Sequence, residues 1–193
     1  KENKIKAVGL CDSNNLCGAL EFSELLAKYK TQPIIGTQIN INYENHTGKI
    51  PLFAKNLEGY KNLIKLSSKS FLEIKDSEEP HCQIEDIKKY SKGLILFTGS
   101  LDGFFGRLFS KNLTETITLL IKKLKKIYEN NLYLEIQRHN DVGEKLFERF
   151  LLNLSKQIDL PLIATHEVFY LGKDMYEAHD AYLCIGEKTY VNV

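Results

Sequence analysis

The feature that most constrains this chain is an alternation of strand-length apolar runs with segments of helical period. It is clearest in the second half. GLILFT (93–98), LYLEIQ (132–137) and LPLIAT (160–165) read as strands, and 113–129, 142–157 and 173–184 as helices between and after them. The first half keeps the rhythm less cleanly. IKAVGL (5–10), PIIGTQINI (33–41) and 50–54 are strand-like, whereas 14–30 and 56–72 are amphipathic. Asp12, Ser13 and Asn14 are placed to cap the first helix, with Leu16, Ala19, Leu20, Leu25 and Leu26 inward. The polar stretch 75–83, containing Pro80, reads as an exposed loop. Such alternation predicts an α/β fold with parallel strands and outer helices, either an open doubly wound sheet or a closed barrel.

Polar residues collect just after the strands: Asp12 and Ser13, Ser100, Arg138 and His139, then His166 and Glu167. In parallel α/β folds the C-terminal strand ends form the mouth where ligands bind, so the chemistry is expected there. Charge adds an exclusion. Lys plus Arg number 26 against 25 Asp plus Glu, a net of +1, which is not the basic excess of a protein gripping DNA with its whole surface. The one basic patch is Lys122, Lys123, Lys125 and Lys126, around Leu119, Leu120 and Leu124, which are predicted to point inward. A solvated helix face is the reading preferred for it, with phosphate contact to primer–template DNA as the alternative. No apolar run reaches the roughly 20 residues of a membrane span. The start carries no secretory pattern, and four cysteines without a CxxC spacing fit a reduced, cytoplasmic protein with core thiols. Both ends look cut, as if the chain belonged to something larger.

Five segments, in order, resemble the polymerase-and-histidinol-phosphatase (PHP) domain found at the start of bacterial replicative polymerase alpha subunits. They are CDSNNLCGA (11–19) with EF (21–22); QPIIG (32–36); AKNLEGYKNL (54–63) with KLSS (65–68); YSKGLI (90–95) with TG (98–99); and EAHD (177–180) with LCI (183–185). The resemblance covers nearly the whole chain. It implies one domain over 1–193, a distorted (β/α)7 TIM-like barrel incomplete at its N-terminus, where a first strand bearing an HxH pair would be missing. It also implies a parent protein that is a DNA-directed DNA polymerase using magnesium, with the polymerase aspartates and that magnesium outside this chain.

Metal-bound members of the family gather two or three ions at the barrel mouth to cut phosphoesters. Placed against that pattern, the family's His becomes Ser13, an acid becomes Gln38, a His becomes Lys49, a Cys becomes Ser100, and an Asp-x-His pair becomes Glu167 and Phe169. Asp12, His139 and Glu167 survive. The resemblance therefore implies a degenerate site with no catalytic residue and no cofactor in this chain, His139 and Glu167 remaining as a weak seat for one stray divalent ion. Glu167 is expected to pair with Lys49 or Arg138 across the mouth, and Asp12 to act as a helix cap. By resemblance the domain is a non-catalytic scaffold. Its partners would be the rest of the polymerase chain, the proofreading exonuclease subunit, which it docks, and other replicase subunits, with primer–template DNA reached through the parent protein. The alternative is a metal-dependent phosphoesterase or an intrinsic 3'-5' proofreading nuclease.

Overall fold

The computed structural model describes residues 5–75 and 77–191. Residues 1–4, read above for a leader, lie outside the described residues, as do Asp76 of the predicted loop and 192–193. Strand β1 (Ala7–Ser13) leads to helix α1 (Ala19–Lys28) and pairs in parallel with β2 (Gln32–Tyr43). There the expected pattern breaks. Strand β3 (His46–Ala54) returns antiparallel to β2, with Tyr43 opposite His46 and a two-residue turn between them. Both turn residues, Glu44 and Asn45, have positive φ, 49° and 62°. That is the turn whose twist suits a tight hairpin, and so short a link can join only antiparallel strands. The turn went unread because it holds no glycine.

Helix α2 (Leu57–Leu72) starts where the side chain of Asn56 accepts the Gly59 N–H at 3.0 Å. The predicted loop then ends in a two-residue strand β4 (Cys82–Gln83), parallel to β2, and a short helix α3 (Ile84–Lys89) with a reciprocal Gln83–Asp86 cap. Strand β5 (Leu94–Phe97) pairs antiparallel with β3. Helices α4 (Phe104–Ser110) and α5 (Thr114–Tyr128) follow, and α4 was not foreseen. Strand β6 (Leu132–Ile136), helix α6 (Glu144–Ile158), strand β7 (Leu162–Ala164) and helix α7 (Tyr176–Glu187) complete the chain, with β5, β6 and β7 parallel.

The strand order is β1-β2-β3-β5-β6-β7, with β4 branching from β2. This curled half-barrel sheet is the distorted barrel that the resemblance implies, with one strand reversed. Its core joins Ile39, Ile41, Ile50, Leu52, Leu96 and Leu134 of the sheet to the inner faces of α2, α4, α5 and α6. Each such fully buried aliphatic side chain contributes about 2 kcal/mol of transfer free energy.

Three helix readings need correction. Helix α1 begins at Ala19 behind Gly18, which makes no side-chain cap, so Asp12, Ser13 and Asn14 do not cap it. Asn14 serves the sheet instead, giving its N–H to the Gln38 carbonyl and accepting the Asn40 N–H, both at 2.9 Å. Leu20 and Leu25 on α1 are 71% and 46% exposed and do not point inward, whereas Ala19 is buried and Leu16 packs against the core. On α5, Leu119 is 60% exposed, while Ile117, Leu120, Ile121, Leu124 and Tyr128 form the inner face.

Candidate functional site

The parallel strands end together at one rim, and the reversed β3 brings its first residues to the same place. Ser13 lies opposite Gln38, and Asn40 opposite Lys49. The Lys49 ammonium donates to the Ser13 hydroxyl at 2.9 Å. The Gln38 amide donates to Glu167 across the mouth. Glu167 therefore does not take Lys49 or Arg138 as its partner, which corrects the expectation. Arg138 reaches outward instead and holds Glu148 of α6 through two bonds, 2.9 and 2.7 Å long, the two-pronged geometry that guanidinium and carboxylate prefer. A neutral amide answers the carboxylate at the mouth.

The other predicted residues are spread out. Asp12 is the next-to-last residue of β1, and its carbonyl accepts the Thr37 hydroxyl at 2.8 Å. The Ser100 carbonyl accepts the Gly103 N–H at 3.0 Å and turns the chain into α4. His139 stacks on His166 with ring centres 4.5 Å apart, and its Nε2 lies 3.0 Å from the side-chain Oε1 of Gln137. Phe169 is exposed and packs on His179, which also meets Tyr170. The structure joins Ser13 with Lys49 and Gln38 with Glu167, and leaves Ser100 and Phe169 apart from them.

Sequence reasoning missed the residue that ties this rim together. Glu135 is 4% exposed. Its carboxylate accepts the Gly99 N–H at 3.0 Å, the Gln137 amide at 3.1 Å and the Thr165 hydroxyl, linking the ends of β5, β6 and β7. An acid inside the apolar run LYLEIQ was the available signal. Burial pushes its carboxyl above the ordinary value; the bonds from Thr165, Gln137 and Gly99 pull it back, and Glu167 adds a smaller upward push. With the folded value above the unfolded one, the native state keeps a proton that the unfolded chain has already lost. Stability therefore falls as pH rises from the ordinary carboxylate range through the folded value, by at most about 1.4 kcal/mol per pH unit. Glu135→Gln should remove that part of the slope in denaturant titrations run from acid to neutral pH. An unchanged slope would assign it to another group.

The cysteines are all free, but only Cys82 is buried; Cys17 is exposed, which corrects the reading of core thiols. Loss of water around the half-buried Cys11 thiol first, and then the carboxylates of Glu135, Glu167 and Asp12, push it well above its usual range, which removes it as a nucleophile near neutral pH.

The lysine patch is also altered. Lys125 donates to the carbonyls of Ile158 and Asp159, at 2.6 and 2.9 Å, where α6 ends. A cation there satisfies open carbonyls and opposes the helix dipole. It is thus no longer one of four free lysines on a solvent face. Lys125→Ala should cost about 1 kcal/mol in thermal unfolding, whereas Lys122→Ala, a solvent-facing change, should stay within about 0.5 kcal/mol. Equal effects would reject the cap.

Fold and rim define an α/β barrel-type domain whose polar residues sit at the strand ends. The model of the PHP domain matches residues 1–139, and the chain belongs to that family. It is 37% identical over 186 residues to the DNA polymerase III subunit alpha of Rickettsia prowazekii, covering 96% of this chain and 16% of that protein. The Caulobacter vibrioides subunit is 34% identical over 198 residues, covering 98% of this chain and 17% of its own length. The chain thus spans about one sixth of the curated relatives it matches. Among solved structures it resembles a Bifidobacterium adolescentis protein proposed to be a metal-dependent phosphoesterase. That match has a TM-score of 0.55 and 12% identity, covering 89% of this chain and 82% of the other, and it bears on the fold alone.

The residues present do not fit a multinuclear metal centre. Such a centre needs several anionic or imidazole donors to offset the ion charge. Here an ammonium sits 2.9 Å from the Ser13 hydroxyl, an amide holds Glu167, and Phe169 has no donor atom. Among the described residues no group of three or more His, Cys, Asp and Glu is arranged to hold an ion. Nor, among them, is any helix long and apolar enough to cross a membrane.

Proposed function

We propose that this chain is a single, non-catalytic PHP scaffold domain of a replicative DNA polymerase III alpha subunit. The observation that carries the reading is the Lys49 ammonium bonded to Ser13 at the rim, where a hydrolytic centre would need metal-binding groups. The similarity to alpha subunits along nearly the whole chain supports the parent assignment. The parent is then a DNA-directed DNA polymerase of chromosomal replication in the cytoplasm, with its magnesium bound elsewhere. The domain braces the rest of that chain and docks the proofreading exonuclease subunit within the replicase. Primer–template DNA is held by the parent protein, and Lys125, engaged at the end of α6, is removed from the candidate DNA contacts, leaving Lys122, Lys123 and Lys126.

A second reading, a metal-dependent phosphoesterase or 3'-5' nuclease, is favoured by one observation. Two imidazoles, His139 and His166, stack with ring centres 4.5 Å apart at this same rim, next in the chain to the carboxylate of Glu167. The two readings part in one experiment. The purified chain is loaded with zinc or manganese, desalted, analysed for bound metal and assayed on p-nitrophenyl phosphate. The scaffold reading expects well under one ion per chain and no turnover above the blank. Stoichiometric metal with turnover abolished by Glu167→Gln would reverse the assignment.

A further inference from the structure

Outside the rim, the tip of the β2–β3 hairpin and helix α4 border a half-open cavity of about 530 Å³. None of its lining residues belongs to the rim pairs described above. Arg107, Lys111 and His46 line it, with Asp102, Leu101 and Val142. Arg107 is already anchored: its Nε donates to the Asp102 carbonyl at 2.9 Å and its Nη1 to the Thr47 carbonyl at 3.4 Å. Lys111 Nζ lies 3.1 Å from His46 Nδ1. An ammonium can only donate, so in this contact Nδ1 accepts and the ring N–H lies on Nε2. The described ion pairs include neither Arg107 nor Lys111. Two permanent cations thus share one concave site with an imidazole N–H, opposed only by the Asp102 carboxylate.

We propose that this cavity is a phosphate-recognition site, taking the phosphoryl group of a phosphomonoester whose substituent lies against Leu101 and Val142. A phosphoryl group offers three acceptor oxygens to guanidinium, ammonium and imidazole N–H together, and charge-assisted bonds of this kind are the strong ones. A guanidinium already fixed by backbone carbonyls gives up little freedom on binding. The cavity is larger than an isolated phosphate, which leaves room for a substituent; the half-buried Leu101 gives it an apolar wall, with the exposed Val142 at its mouth. This assignment stands apart from the scaffold reading and uses none of its residues.

The test is a titration of the purified chain with sodium phosphate, followed by NMR, with sodium chloride holding ionic strength constant. Saturable shifts are expected at His46, Arg107 and Lys111. Lys111→Gln should weaken binding about tenfold, since it removes one charge-assisted bond. Arg107→Gln should do the same but also loses two backbone contacts, so Lys111→Gln with an unchanged melting temperature is the decisive variant. Shifts that never saturate and are matched by chloride would overturn the site, as would a Lys111→Gln protein that binds as tightly as the parent. Tighter binding of a glutamate-rich peptide than of any phosphate would replace the phosphate assignment with an acidic-peptide one. Comparing inorganic phosphate, a nucleoside monophosphate and a terminally phosphorylated oligonucleotide separates the sources. A monoester that binds no tighter than inorganic phosphate would overturn the role given to the apolar wall.

Discussion

Gly59→Ala is expected to lower the unfolding free energy by about 3 kcal/mol, although alanine is by itself the better helix former by about 1 kcal/mol. Steric overlap decides the sign. A Cβ on Gly59 would sit 1.8 Å from the Gly93 carbonyl oxygen and 2.6 Å from its carbon. These are backbone atoms, not the movable end of a side chain. Gly93 cannot easily retreat, because it has φ +72° and its carbonyl accepts the Lys55 N–H at 2.9 Å. Nearby, Asn62 donates to the Lys92 carbonyl at 2.8 Å. Relief would mean lifting the start of α2 off the start of β5 and breaking these bonds. Urea denaturation should show a lower midpoint at unchanged slope. A loss smaller than about 1 kcal/mol would mean that the two backbones are not in contact as described.

Phe104→Ala should cost still more, about 4 kcal/mol, or roughly 10 °C in melting temperature for a domain of this size. Phe104 is fully buried and meets Phe105 edge-on with ring centres 5.1 Å apart. The cost of a truncated core side chain depends on how far its surroundings can close the cavity. Here they are held on two sides. A Cβ on Gly48 would lie 2.5 Å from the Phe104 Cα, and one on Gly106 would lie 2.0 Å from the Leu101 carbonyl oxygen. Helix α4 is already in backbone contact with both neighbours and cannot slide to refill the space. Leu20→Ala, on the exposed face of α1, serves as the control and should change stability by less than about 0.5 kcal/mol. If both variants melted together, α4 would not be packed as the structure has it.

The contact of Gly59 with Gly93 explains part of what was legible in the sequence. The AKNLEGYKNL and YSKGLI segments resemble family motifs, and they turn out to hold the two halves of one backbone contact, Gly59 on Gly93, capped by Asn56. Such residues are restricted by close approach, so the motif survives as a recognisable string. The candidate site was less legible. Ser13, Gln38, Lys49 and Glu167 were read as rim residues, yet the one pairing read for them, Glu167 with Lys49 or Arg138, is not the one formed. Glu135 was passed over because an acid in a strand looks like an outward-facing residue until the strand ends around it are known.

Local periodicity was enough to determine the class of fold, since strand and helix each place side chains at a spacing set by a few neighbouring bonds. It could not set the direction of β3, which depends on two left-handed turn residues, nor reveal α4, whose seven residues make only two turns, too short a window for the Phe104–Leu108 and Phe105–Phe109 spacing to stand out as helical. Nor could it choose between equivalent partners. Gln38 reaches Glu167 across 129 positions, Lys49 takes Ser13 across 36, and Lys125 spends its charge on the end of α6. A polar side chain bonds to whatever donor or acceptor the finished fold brings within about 3 Å, and that distance exists only after the chain has closed on itself.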